Sequence, residues 1–178
     1  YNQLGKEISG LDIGQSKIRE YRQTAGVFQE IAGGINSVMT EISKADAATP
    51  KDPGKLSFEG VAGRDKHSHR KQHNAQVEAY KAAQGLADKL RKEGMASAKA
   101  SVLAIATDTS KASEVARTKL AKSFDIPEGT TLVDFIKNLE GDEGLKTLQT
   151  TFSEMETEVT KTATSMENLK KGISESET

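Results

Sequence analysis

Apolar positions recur three and four apart along most of this chain, with polar residues between them. That spacing predicts amphipathic helices, because residues three and four apart share a helix face. The clearest run is Leu145, Leu148, Phe152, Met155, Val159, Thr162, Met166, Leu169 and Ile173. It predicts a helix over about Glu143–Gly172. A second run, Ile18, Tyr21, Ala25, Phe28, Ala32, Ile35, Met39 and Ile42, predicts a helix over about Gln3–Ala45. Its first half carries Leu4, Ile8 and Leu11, and the register slips at Gly14. Gly5, Gly10, Gly14, Gly26, Gly33 and Gly34 each weaken that helix by roughly 1 kcal/mol relative to alanine. Close approach of a neighbouring helix is the expected reason for them.

Between these lies Arg64–Phe124, which has no proline and holds thirteen of the twenty alanines. Val77, Tyr80, Ala83, Ala87 and Leu90, then Ala98, Val102, Ile105, Thr109, Ala112, Ala116 and Leu120, trace a seam of small residues. The pattern predicts one helix over the whole stretch, spanning roughly 90 Å at 1.5 Å per residue.

The three prolines fall outside the periodic stretches, at Pro50, Pro53 and Pro127. Proline breaks helix interiors, so these positions mark the connections. Asp46–Gly63 reads as a linker with a turn at Lys51-Asp52-Pro53-Gly54, and Leu56, Phe58 and Val61 are expected to tuck it onto the bundle end. Asp125–Gly144 carries a short helix over about 131–139, capped by Thr130 or Thr131 and burying Leu132, Phe135, Ile136 and Leu139. Gly141 ends it and Asp142 is expected to cap the last helix. The tail Ser174–Thr178 reads as polar and frayed. The expectation is a single all-α domain: an elongated, coiled-coil-like, up-down-up three-helix bundle with a small head holding the short helix. Tyr1 and the Asp125–Gly144 connection then share one end. Thr178 and the Asp46–Gly63 loop share the other.

Composition supports thin seams. Charged residues make up 29% and apolar residues only 35%, with 4% aromatic. Charge is unevenly placed. Arg64–Phe124 has thirteen Lys/Arg against six Asp/Glu, and Asp125–Thr178 has five against twelve. A basic helix beside an acidic one predicts antiparallel pairing of the second and third helices. Absence of cysteine removes disulfides and thiolate ligands. No apolar run reaches membrane-spanning length and no Asn-x-Ser/Thr sequon occurs. The chain opens at Tyr1 without a methionine, which suggests a mature fragment.

Candidate chemistry is sparse. His67, His69 and His73 form the only histidine group, and His69 and His73 are spaced as two metal ligands on one helical face. No carboxylate falls at ligand spacing there, and Arg70 and Lys71 oppose a cation. The reading is a solvated helix start with no metal. The basic run Arg64, Lys66, Arg70, Lys71 has the composition of a nucleic-acid or anionic-lipid patch, but it lacks interleaved aromatics. A solvated face, partly neutralised by the acidic third helix, is the expectation. No phosphate loop, dinucleotide fingerprint, calcium loop or nucleophile elbow occurs. Glu154, Glu156 and Glu158 read as a charged surface run. Catalytic, cofactor-binding and metal-binding residues are therefore expected to be absent, and no nucleic-acid partner is expected.

This cysteine-free rod, rich in alanine and glutamate, resembles the surface coat proteins of African trypanosomes, nearest to the glutamic acid/alanine-rich group of the insect stages. The likeness covers the whole chain but is architectural and compositional, so it carries over no site residues. It implies a non-enzymatic surface antigen at the outer face of the plasma membrane. It also implies a glycosylphosphatidylinositol (GPI) anchor beyond this chain's C-terminus and dense packing that shields the membrane. Glycan attachment, self-association on the surface and contact with a host or vector ligand belong to the same implication. The alternative is a ligand-binding surface receptor, or a bacterial secretion-tip or adhesin bundle.

Overall fold

The computed structural model describes residues 2–110 and 113–176, with side-chain environments for 14–110 and 113–172. Among these the chain is all-helical, with no strand. Helix α1 spans Asn2–Ala48, α2 Lys66–Thr107, α3 Glu114–Ser123, α4 Leu132–Lys137 and α5 Gly141–Ser176. A 3-10 turn, Gly63–Asp65, precedes α2.

The core follows the predicted seam in α1 and in α5 as far as Val159, but in α2 it starts only at Ala87, with Val77, Tyr80 and Ala83 half-buried. Phe28, Ile35 and Ile42 of α1 are buried with Leu145, Leu148, Phe152, Met155 and Val159 of α5. Phe28 and Phe152 meet edge to face at 5.6 Å, a geometry that contributes about 0.5–1.5 kcal/mol beyond area burial. Ala87, Met95, Ala98 and Val102 bring α2 to this core, and Ala116, Leu120 and Phe124 bring α3. The short helix forms but is shorter than expected: it stops at Lys137, with Leu132, Phe135 and Leu139 only half-buried, and Gly141 begins α5 instead of ending the short helix. Thr131 caps it by accepting a hydrogen bond from Asp134 N at 3.1 Å, and Ile136 is buried. Before it, Thr130 N bonds Pro127 O across a turn with Gly129 at φ +87°, a conformation glycine adopts without strain.

The central stretch departs from expectation. Arg64–Phe124 is not one helix: α2 stops at Thr107 and α3 starts at Glu114. Asp108, Thr109 and Ser110 are short polar side chains that compete with helical backbone bonds. Asp108 Oδ1 accepts from Ser110 N at 2.9 Å and Oδ2 from Ser113 Oγ at 2.6 Å. Arg117 Nη1 donates to the carbonyls of Asp108 and Ser110. Thr109 is thus exposed rather than in the seam, and Ala112 lies outside the described residues.

This break adds one reversal of the chain, and the reversal changes the topology. Arg22 of α1 clasps Glu167 of α5 through Nε–Oε1 at 3.0 Å and Nη2–Oε2 at 2.8 Å. At the other end, Arg91 of α2 binds Asp46 of α1 and Asp142 of α5 together. So α5 runs antiparallel to α1, whereas an up-down-up bundle needs them parallel. The α2 helix lies antiparallel to α1 and in the same direction as α5, with Met95 against Gly144 as well as Arg91 against Asp142. The returning pass is α3, facing residues 16–23 of α1, and α4, whose Lys137 carbonyl accepts from Lys99 Nζ at 2.7 Å. The C-terminal part of α5 therefore sits beside the N-terminal half of α1. The 46–63 connection is at the opposite end, the reverse of the sequence expectation.

Charge pairing is corrected with it. The acidic α5 packs chiefly on α1, not antiparallel to the basic α2. Two ion pairs still link the basic stretch to α5, Arg91–Asp142 and Lys119–Glu158. Asp142 pairs with Arg91 inside the first turn of α5, which begins at Gly141, instead of capping that helix. The glycines are corrected too. A Cβ at Gly14, Gly26, Gly33 or Gly34 would meet nothing within 4 Å, so none marks a close approach. Gly5 and Gly10 lie outside the described side chains. The close approaches are at Gly94, against Val38, and Gly144, against Met95. The last helix also continues through Ser174 to Ser176 rather than fraying at about Gly172.

Candidate functional site

The end marked by Arg91 leaves part of α2 without the other long helices. Since α1 ends at Ala48 and α5 begins at Gly141, both beside Arg91, residues 66–86 project past them. From Lys66 to Arg91 is roughly 38 Å at 1.5 Å per residue. No α2 residue before Ala87 is buried. The overhang is accompanied instead by the 49–62 segment, which runs along it as an extended strap.

The strap is held by specific contacts. Asp52 Oδ1 accepts from Gly54 N at 2.9 Å, and Gly54 adopts φ +64°, giving the turn predicted at Lys51–Gly54. Ser57 O lies 2.7 Å from His69 Nε2. The Phe58 ring lies 5.8 Å from His69, 5.8 Å from Lys66 Nζ and 5.4 Å from Arg70 Cζ. Phe58 therefore does tuck the linker down, against α2, whereas Leu56 stays exposed.

The three histidines do not converge as ligands. The bond to a carbonyl requires His69 Nε2 to carry its proton, so that nitrogen has no lone pair for a metal. His67 is exposed and His73 is half-buried one turn further on. Among the described residues no group of three or more His, Asp or Glu side chains is placed to hold a metal ion. The basic run Arg64, Lys66, Arg70 and Lys71 is on this overhang. The acidic α5 starts beside Arg91, roughly 30 Å beyond Lys71 at 1.5 Å per residue, and does not lie against it, contrary to expectation. Sequence reading missed the aromatic that the strap brings to the run, because Phe58 is distant from Arg70 by helical spacing.

A concavity of about 710 Å³ opens between α1 and α3. It is lined by Lys17, Arg19, Glu20 and Tyr21 on one side and by Val115 and Lys122 on the other. Lys119 at its edge is paired with Glu158. The cleft exists because α3 restarts as a separate short helix, so no continuous-helix reading could place it.

Neither surface holds a buried acid–base pair. Among the described residues, the two carboxylates displaced clearly from the usual range, Asp108 and Glu167, both move down. Hydrogen bonds from Ser113 and then Ser110 hold Asp108 ionised, down to about 2, and a hydrogen bond from the Arg22 guanidinium lowers Glu167 below the usual carboxylate range. Such shifts favour the charged form, opposite to what a general acid at neutral pH requires. The one buried polar residue of the described core, Thr24, donates to Glu20 O at 2.9 Å and is satisfied. Glu154 and Glu158 are exposed on α5 and Glu156 is half-buried. Compared with known proteins, the chain matches no family model, no curated protein and no solved structure.

Proposed function

We propose that this chain is a non-catalytic, elongated helical coat protein of a cell surface, tethered through a lipid anchor beyond its C-terminus and crowded among copies of itself. The observation that carries this reading is the division between a thin apolar seam and polar outer faces. Exposed large apolar residues among those described are scattered, with Val27, Leu56, Leu86 and Leu169 on four different segments. A narrow polar rod occupies little membrane area per copy and resists sideways aggregation. The accessible surface of 12344 Å² fits an elongated shape, since a compact monomer of this mass has roughly 8,400 Å². The antiparallel packing of α1 and α5 supports one orientation under that proposal. A C-terminal tether places the Arg22–Glu167 end at the membrane and turns the strap and overhang outward.

The test is staining of intact cells that express the protein. Antibodies to the strap, 49–62, are expected to label unpermeabilised cells, and phosphatidylinositol-specific phospholipase C is expected to release the signal. Labelling only after permeabilisation would sink the coat reading. Labelling that the phospholipase leaves in place would sink the proposed anchor. A second reading, a ligand-binding surface receptor or adhesin, is favoured by the overhang itself, because a projecting two-segment tip contributes little to the core and leaves its faces open to a partner.

A further inference from the structure

We infer that the overhang is a binding surface for a linear sulfated polysaccharide. Residues 51–73 carry six Lys/Arg against three Asp/Glu. Two of the three carboxylates are engaged locally: Asp52 holds Gly54 N, and Asp65 pairs with Arg64 at 3.7 Å. Lys66, Arg70 and Lys71 form no ion pair with a described residue. Lys66 and Arg70 are one helical turn apart and so share a face, with Lys71 beside Arg70. Phe58 lies under both Lys66 and Arg70, which pre-orders two long cationic side chains that would otherwise lose rotamer freedom on binding.

Lys66 and Arg70 form a short row ordered by Phe58, and Lys71 lies about 100° further round the helix, an arrangement suited to an anionic chain that presents charges at intervals and follows the helix surface. Single-stranded nucleic acid fits it less well, because base stacking needs a free aromatic face. Phe58 is occupied by its cations, and Tyr80 is half-buried with its hydroxyl bonded to Gln84. An anionic membrane fits less well because Leu56 is the one exposed large apolar side chain of the strap. The inference goes beyond the coat reading and does not require an anchor.

Calorimetric titration of the full chain with a heparin-derived octasaccharide tests it. Saturable binding is expected in about 0.15 M salt, with log affinity falling linearly against log salt as counterions are released. Arg70→Glu/Lys71→Glu should weaken binding at least tenfold and lower the salt slope by about 2, one for each lost contact, with an unchanged melting temperature. Lys17→Glu/Lys122→Glu, in the α1–α3 cleft, should leave affinity within about twofold. No saturable binding, unaltered affinity in the overhang variant, or equal loss in the cleft variant would overturn the proposal. So would equal binding of the desulfated octasaccharide, or tighter binding of oligothymidine or phosphatidylserine vesicles. The surface-staining experiment reads the coat hypothesis separately, so either can fail alone.

Discussion

At Gly94 an added Cβ would overlap Val38 Cγ1, whereas at Gly34 it would meet nothing within 4 Å. The two glycines look alike in sequence, yet they ask for opposite outcomes. Gly34→Ala should stabilise the protein by about 0.5–1 kcal/mol, the helix-propensity difference alone. Gly94→Ala should destabilise it by about 1–3 kcal/mol, because overpacking between α1 and α2 outweighs the propensity gain. Adding Val38→Ala should recover part of the loss. Urea denaturation of the three variants checks this, and a stabilised Gly94→Ala would show that α1 and α2 do not approach closely there. Periodicity reveals which face is apolar. It does not reveal which glycine lies under a neighbour's side chain, because that depends on the axial stagger of two helices. Arg91 is a similar case: nothing in its surroundings of Lys89, Leu90 and Lys92 announces that it joins three helices.

Among the elements, α1 was the most legible. Its predicted seam residues Ala25, Phe28, Ala32, Ile35 and Ile42 are all buried. In α5 the seam holds from Leu145 to Val159 and then shifts, so that Ala163 is fully buried and Leu169 is 65% exposed. A helix of 3.6 residues per turn drifts by about 20° per heptad against a 3.5-residue seam. After three heptads the late positions have rotated out. Leu4, Ile8, Leu11 and Ile173 lie outside the described side chains. The α2–α3 break was legible in its ingredients, Thr107-Asp108-Thr109-Ser110, but a pattern search carries a seam straight through four polar residues. The knot around Asp108 has a pH signature. Its carboxyl is held down to about 2, chiefly by the Ser113 hydroxyl, against about 4 in an unfolded chain. A depressed carboxylate contributes its stabilisation above the unfolded value and loses it as pH falls. Order around 108–117 should therefore be intact above about pH 4 and fade between about 4 and 2. Carboxyl carbon-13 NMR of Asp108 should show the low midpoint, and Ser113→Ala should move it up toward 4. An unmoved midpoint would remove Ser113 as the main cause.

For the whole molecule, the consequence of that break is direction. One extra reversal turns α5 over, puts the two ends of the bundle's outer helices together and leaves the strap and overhang at the far end. Scattering in solution should show it. A compact chain of 178 residues has a radius of gyration of roughly 16 Å. An overhang extending a bundle built on the 47-residue α1 predicts about 25–30 Å, from a length approaching 100 Å at 1.5 Å per residue. A value near 16 Å would mean that the overhang folds back onto the bundle.

The amino-acid pattern by itself determined that the chain is helical, where its proline-marked connections fall, and most of the faces that become core. These are local properties, set by side-chain spacing, proline placement and turn chemistry within a few residues. It also held the basic run and the histidines. Only the tertiary structure decided the direction of α5, the glycines that matter, the partner of Arg91, and the exposure of the basic run beyond the acidic helix. Each of these depends on where one element lies along another. That stagger comes from packing across distances of fifty to one hundred and fifty residues, such as Arg91 to Asp142 or Arg22 to Glu167, which no local pattern encodes.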